Sequence, residues 1–133
     1  MPSLLLDTHI LIWWRLDAGR LSPAQTRAIE AQEKLGHGVA ISAITLRELA
    51  ATVERGRLEI AQPLDLWLEG IERHPLITVF PITAAVALES VRLGSDFPKD
   101  PADQIIVATA RCHGLRLVTA DERIRRWGKV PLV

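Results

Sequence analysis

Residues 3–16 read SLLLDTHILIWWRL, and this stretch contains the strand-to-helix unit from which the fold can be predicted. The apolar run at 3–6 is short and is typical of a buried strand. A helical stretch follows from Thr8 to about Leu16. We therefore predict an α/β protein in which Asp7 directly follows the first strand.

The rest of the chain alternates in the same way. Further strands are predicted at 39–42, 77–80 and 115–118, with a possible fifth at 130–133. Helices are predicted at 22–35, 46–55, 64–71, 83–93, 100–113 and 121–127. This alternation predicts a three-layer α/β/α architecture with a central parallel sheet of four to five strands. The length fits one domain, residues 1–133.

Composition excludes several classes of protein. The 16 basic and 16 acidic residues balance, so net charge gives no general attraction to nucleic acid or to membranes. The lone cysteine, Cys112, argues against a disulfide-stapled scaffold and against a cysteine zinc site. The N-terminal apolar run is too short for a signal peptide, and no stretch could span a bilayer. We expect a cytoplasmic protein.

Four acidic residues, far apart in sequence, follow predicted strands or lie near predicted helix starts. They are Asp7, Glu48, Asp103 and Asp121. In parallel α/β sheets the reactive crevice lies beyond the C-terminal ends of the strands, and the predicted fold brings all four residues there. Clustered carboxylates raise one another's pKa, and a cation relieves that repulsion. Hard oxygen ligands favour Mg²⁺ or Mn²⁺.

Each acid also has a structural interpretation as part of a helix cap. Residues 45–48 fit a capping box, in which Glu48 satisfies backbone donors. Asp100 is predicted to be an N-cap before a proline, and the helix dipole would favour Asp103 in the first turn. Asp7 and Asp121 could be caps as well. For any single acid capping is the simpler explanation, whereas the set at one edge favours a metal site.

Four sequence blocks resemble those of PIN domains and occur in the order found in that family. They are LLLDTH at 4–9, SAITLRE at 42–48, DPADQIIVATA at 100–110 and LVTAD at 117–121. The resemblance runs from about residue 3 to the C-terminus. Among small PIN proteins, the chain is most similar to VapC-type toxins of prokaryotic toxin–antitoxin pairs.

The resemblance implies a Mg²⁺- or Mn²⁺-dependent endoribonuclease whose products carry 5′-phosphate and 3′-hydroxyl ends. The implied metal-binding and catalytic acids are Asp7, Glu48, Asp103 and Asp121. The implied supporting residues are Thr8, Ser42 and Thr119. A VapB-type antitoxin and a homodimer are the implied partners, with the exposed helix faces at 45–55 and 64–73 as candidate surfaces. The alternative is a non-catalytic PIN-like module that binds RNA or protein.

Arginines at the rim of such a site could pair with RNA phosphates. The candidates are Arg15, Arg47, Arg123, Arg125 and Arg126. Trp13 and Trp14 could stack on bases, although packing is the more common role for tryptophan. For His9 we favour a structural role, and for Trp67 a packing role.

Overall fold

The computed structural model describes all 133 residues. A four-stranded parallel sheet lies at its centre, with strand order β3-β2-β1-β4. The strands are β1 (Leu4–Leu6), β2 (Val39–Ser42), β3 (Ile77–Phe80) and β4 (Arg116–Val118). The helices are α1 (Thr8–Leu16), α2 (Pro23–Lys34), α3 (Ala43–Glu54), α4 (Leu64–Glu72), α5 (Ala84–Ser90), α6 (Pro101–His113) and α7 (Glu122–Trp127). The predicted three-layer α/β/α fold is confirmed.

The core lies on both faces of the sheet. Alternate side chains of a strand point to opposite faces, so Leu4 and Leu6 pack into one apolar cluster and Leu5 into the other. The first cluster includes Ile10 of α1, and the second includes Ile106 of α6. Burial on both faces explains why β1 is an uninterrupted apolar run. No helix has both the length and the apolar character needed to cross a membrane.

The possible fifth strand predicted at 130–133 does not form. Residues 130–133 make a single parallel bridge, between Leu117 and Leu132. The amide of Leu117 donates to the carbonyl of Pro131, and the amide of Val133 donates to the carbonyl of Leu117. Pro131 has no N–H, so it cannot donate a ladder bond of its own.

Two helix boundaries also differ from the prediction. Helix α5 ends at Ser90 rather than near Leu93, because Leu93 is buried in the second apolar cluster and the chain turns at Gly94 with φ +107°. Helix α3 begins at Ala43, earlier than predicted. Its cap is Ser42, whose hydroxyl accepts a hydrogen bond from the Ile44 amide at 3.2 Å.

Candidate active site

A cavity of about 360 Å³ lies at the C-terminal edge of the sheet. It is open to solvent and strongly acidic. Its lining residues are Asp7, Thr8, His9, Trp13, Glu48, Asp100, Asp103, Ala120, Asp121 and Arg123. The structure therefore brings together the four acids singled out in the sequence, and it adds Asp100.

Asp7 is held between β1 and α1. Its amide donates to the carbonyl of Val118 in β4, which fixes the residue at the end of the sheet. Its Oδ1 accepts a hydrogen bond from the Ile10 amide at 2.9 Å, so it also caps α1. Burial raises the pKa of this carboxyl, although the nearby Thr119 hydroxyl acts to lower it. Asp7 thus combines a capping role with a place in the cavity.

Glu48 is positioned by two buried threonines. The Thr8 hydroxyl donates to Glu48 Oε1 at 2.5 Å and lies 3.1 Å from the Thr45 hydroxyl. Because Thr8 has one hydroxyl proton and gives it to Glu48, Thr45 must be the donor of the second bond. The predicted capping box is wrong: Thr45 lies inside α3, and Glu48 lies in its second turn.

Asp103 is a carboxyl group in the cavity whose pKa is strongly raised. Burial is the main reason that its pKa rises to about 7, and the negative charges of Asp100, Asp121, Glu48 and Asp7 raise it further. Four carboxylates, one on the same helix cap and three from other parts of the chain, therefore act on this one side chain. A bound cation would stabilise the ionised form.

Asp100 caps α6, as predicted. Its Oδ1 accepts hydrogen bonds from the amides of Ala102 at 3.0 Å and Asp103 at 3.2 Å. The same carboxylate lines the cavity and is the strongest of the charges that raise the pKa of Asp103. The sequence pattern predicts the capping role of Asp100, whereas its electrostatic role follows only from the folded structure.

Arg123 supplies a positive charge inside the acidic cavity. Its Nη2 lies 3.1 Å from Asp121 Oδ2 and 3.6 Å from Asp103 Oδ2. Asp121 also caps α7, with Oδ1 accepting from the Arg123 amide at 2.8 Å. Burial acts to raise the pKa of Asp121, but hydrogen bonds from Arg123 and the Ile124 amide outweigh it and lower the pKa.

The donor set suits a hard divalent cation, because it consists of carboxylates and hydroxyls with no thiol nearby. As the side chains stand, no three acidic or imidazole groups are close enough together to share one ion. Oxygens of Asp7 and Asp121 accept helix-capping bonds, and Glu48 is held by Thr8. Binding one ion through three of these groups would therefore require some of the side chains to rotate toward one another.

Two of the predicted supporting residues act from outside the cavity. Ser42 is fully buried and caps α3. The buried Thr119 hydroxyl accepts a hydrogen bond from the Asp121 amide at 3.0 Å, so it helps to position that residue. Neither side chain lines the cavity. Thr8 does, and Thr45 is a supporting residue that the sequence analysis missed.

The arginines predicted to contact RNA lie at several different sites. Arg123 lines the acidic cavity, and Arg47 lines a groove that shares Glu48 and Asp100 with it. Arg125 donates to the carbonyls of Thr119 and Val133 and thereby ties down the C-terminus. Arg15 lies in a separate depression beside α4, and Arg126 lines another cavity next to Arg123.

The tryptophans also lie in different environments. Trp13 lines the acidic cavity, with the guanidinium of Arg20 over its ring at 4.8 Å and His9 in an edge-on contact at 6.4 Å. Trp14 does not line it and instead meets His74 edge-on at 6.2 Å. Trp67 is buried, as its predicted packing role requires.

The chain is similar to known proteins along nearly its whole length. The PIN domain family model matches residues 4–130. Ribonuclease VapC22 of Mycobacterium tuberculosis is 43% identical over 125 residues, which cover 94% of this chain and 92% of that protein.

Solved structures of similar fold include VapBC2 from Rickettsia felis bound to a DNA fragment from their promoter. It has a TM-score of 0.71 at 18% identity, covering 98% of this chain and 96% of that chain. A toxin–antitoxin complex from Klebsiella pneumoniae has a TM-score of 0.63 at 27% identity, with coverage of 98% and 96%.

Proposed function

The chain belongs to the PIN-domain family, and we propose that it is a Mg²⁺- or Mn²⁺-dependent endoribonuclease of the VapC type, the toxin of a toxin–antitoxin pair. The main support is the gathering of Asp7, Glu48, Asp103 and Asp121 around one open cavity. The similarity to a ribonuclease along nearly the whole chain supports the same activity.

We assign Asp7 and Asp103 to direct coordination of the cation, with Glu48 and Asp121 coordinating directly or through water. A divalent cation bound there would supply an activated water and a positive charge next to the phosphate. Thr8 holds the Glu48 carboxylate in place, which makes Glu48 a suitable acceptor for the proton of the attacking water. Arg123, which lines the cavity, is placed to pair with a phosphate oxygen.

Cleavage of single-stranded RNA in the presence of Mn²⁺, compared with the same reaction in a chelator, tests the proposal. We expect Asp7→Asn and Asp103→Asn to abolish cleavage, because each removes a charged ligand. Glu30→Gln is a matched control, since Glu30 is exposed on α2 and lies outside the cavity. Cleavage that persists in the chelator or in both aspartate variants would contradict the proposal.

One observation favours the alternative, a PIN-like module that binds RNA without cleaving it. Arg123 pairs with Asp121 and lies near Asp103, so part of the acidic charge is already neutralised by the chain itself. RNA binding that needs no metal and produces no cleavage would support this alternative.

We also propose that a VapB-type antitoxin binds the chain in the cytoplasm and that the chain forms homodimers. The similar Klebsiella structure is a toxin–antitoxin complex, which supports the partner. Faces of α3 and α4 are the candidate dimer surfaces, and the exposed side chain of Leu66 on α4 is consistent with such a contact. Expression together with the neighbouring open reading frame should restore growth, and unchanged toxicity would exclude that gene product as the partner.

A further inference from the structure

A second cavity, of about 560 Å³, adjoins the acidic one. We call it the basic shelf. Its lining residues are Asp96, Phe97, Pro98, Lys99, Arg123, Arg126 and Trp127. Arg123 lines both cavities, so an RNA strand that occupies the acidic cavity can continue past this side chain into the basic shelf.

Helix α7 forms one wall of the basic shelf. Arg123, Arg126 and Trp127 are spaced i, i+3 and i+4, which places them on one face of the helix. Arg125 does not line the shelf, and its guanidinium is occupied by the carbonyls of Thr119 and Val133. The helix therefore directs two arginines and an aromatic ring toward the same space.

The shelf carries uncompensated positive charge. Its one acid, Asp96, is paired with Lys129 at 3.0 Å, and the hydrogen bond from that lysine lowers the pKa of Asp96. Lys99 and Arg126 are exposed, and neither side chain has an ion pair or a hydrogen bond. Two cations are thus available to an anionic ligand.

Aromatic rings form the apolar part of the shelf. Phe97 and Trp127 meet edge to face, with centroids 4.9 Å apart and planes at 82°. Phe97 is buried, whereas Trp127 is half-buried, with the guanidinium of Arg111 5.6 Å and the ammonium of Lys129 5.9 Å from its ring centroid. Unpaired cations beside a partly exposed aromatic side chain are the combination by which proteins bind single-stranded nucleic acid without sequence preference.

We propose that the basic shelf binds the segment of single-stranded RNA next to the cleaved bond, with Lys99 and Arg126 holding phosphates and Trp127 contacting a base. This proposal rests on the proposed nuclease function, because an RNA strand that is cleaved in the acidic cavity would pass Arg123 to enter the shelf. The aromatic wall favours RNA over an acidic peptide, which would use the charges but has no bases to place on the ring.

Fluorescence anisotropy with a short, labelled single-stranded RNA tests this in the presence of a chelator, where cleavage does not interfere. The double variant Lys99→Ala/Arg126→Ala should bind about tenfold more weakly, and the slope of log affinity against log salt should fall by about 1.4, for two lost phosphate contacts. Arg27→Ala/Lys34→Ala is the matched control, because both residues are exposed on α2 and line none of the cavities described above. Its affinity and salt slope should equal those of the wild type.

Equal losses in the shelf variant and the control variant would overturn the proposal, as would unmeasurable RNA binding by the wild type. Loss of affinity for a polyglutamate peptide but not for RNA would assign the shelf to protein docking and would also overturn it. If the shelf variant binds RNA weakly while the wild type binds but never cleaves, the shelf proposal stands and the proposed nuclease function fails.

Discussion

Asp103 is the residue at which the demands of the site and of the fold conflict most clearly. Burial and four neighbouring carboxylates raise its pKa to about 7, so ionising it near neutral pH costs the folded protein stability. Metal ligands must be deprotonated, and a bound cation would offset that cost because it attracts the ionised carboxylate. The same side chain is therefore unfavourable in the metal-free fold and useful to a metal site.

Asp103→Asn should stabilise the metal-free protein at alkaline pH. The folded-state pKa of about 7 lies above the unfolded value of about 3.9, so the contribution of Asp103 to stability is present at low pH and is lost as the pH rises through about 7. In a chelator at about pH 8 we expect the variant to melt about 3–8 °C higher than the wild type. At about pH 5 the difference should be smaller. A difference that grows toward acid pH, or one matched by Glu30→Gln, would contradict this.

Thr8→Val should impair cleavage more than folding. It removes the donor to Glu48 and leaves the Thr45 hydroxyl without its acceptor. Loss of a residue that orients a metal-site carboxylate costs about 10–100-fold, and we expect that reduction in RNA cleavage rate. Thr8→Ser keeps the hydroxyl and should retain most of the activity. Equal rates for the valine and serine variants would show that the hydrogen bond is unimportant.

At the scale of elements, helix caps and site acids are largely the same residues. Asp7, Asp100 and Asp121 each cap a helix and line the acidic cavity. Their positions could be predicted, because each stands at a strand end or before a proline. The location of Glu48 within α3 could not, because Ser42 begins the helix earlier than the more obvious threonine. The Thr8–Thr45 contact joins residues 37 apart, and no local spacing indicates it.

The cap of α6 offers a test at this scale. Asp100→Ala removes the acceptor for two amides, so its free energy of unfolding should be about 1 kcal/mol lower than that of Asp100→Asn, which keeps an acceptor oxygen. Both variants remove the negative charge that raises the pKa of Asp103, so the comparison isolates the cap. Urea denaturation of both variants measures the difference. If the alanine and asparagine variants are equally stable, the cap contributes nothing beyond its charge.

At the scale of the whole molecule, the fold brings distant residues to one edge of the sheet. The parallel direction of the strands follows from the alternating strand and helix patterns, so the location of the acidic cavity at the C-terminal edge of the sheet could be predicted from the sequence. The strand order β3-β2-β1-β4 could not. The side on which each arginine of α7 lies could not, because the sequence pattern there is too short to orient the helix. The structure separates Arg125, bound to the C-terminal backbone, from Arg123 and Arg126 on the basic shelf.

Both faces of the sheet are buried, so shortening a core side chain should destabilise the fold. Leu5 is fully buried, and replacing it with alanine should lower the free energy of unfolding by about 2–5 kcal/mol. Leu88 on α5 is 48% exposed, so Leu88→Ala should cost far less. Chemical denaturation gives both values. Similar losses for the two variants would contradict the placement of β1 at the centre.

The proposed function requires Asp7 and Asp103, 96 positions apart in the chain, to lie at one divalent-cation site. Calorimetric titration of the purified protein with Mn²⁺ tests it directly, beside the double variant Asp7→Asn/Asp103→Asn and the matched control Glu30→Gln/Asp65→Asn. We predict saturable Mn²⁺ binding by the wild type and the control, and no binding by the Asp7/Asp103 variant. Mn²⁺ affinity that is the same in all three proteins would contradict it.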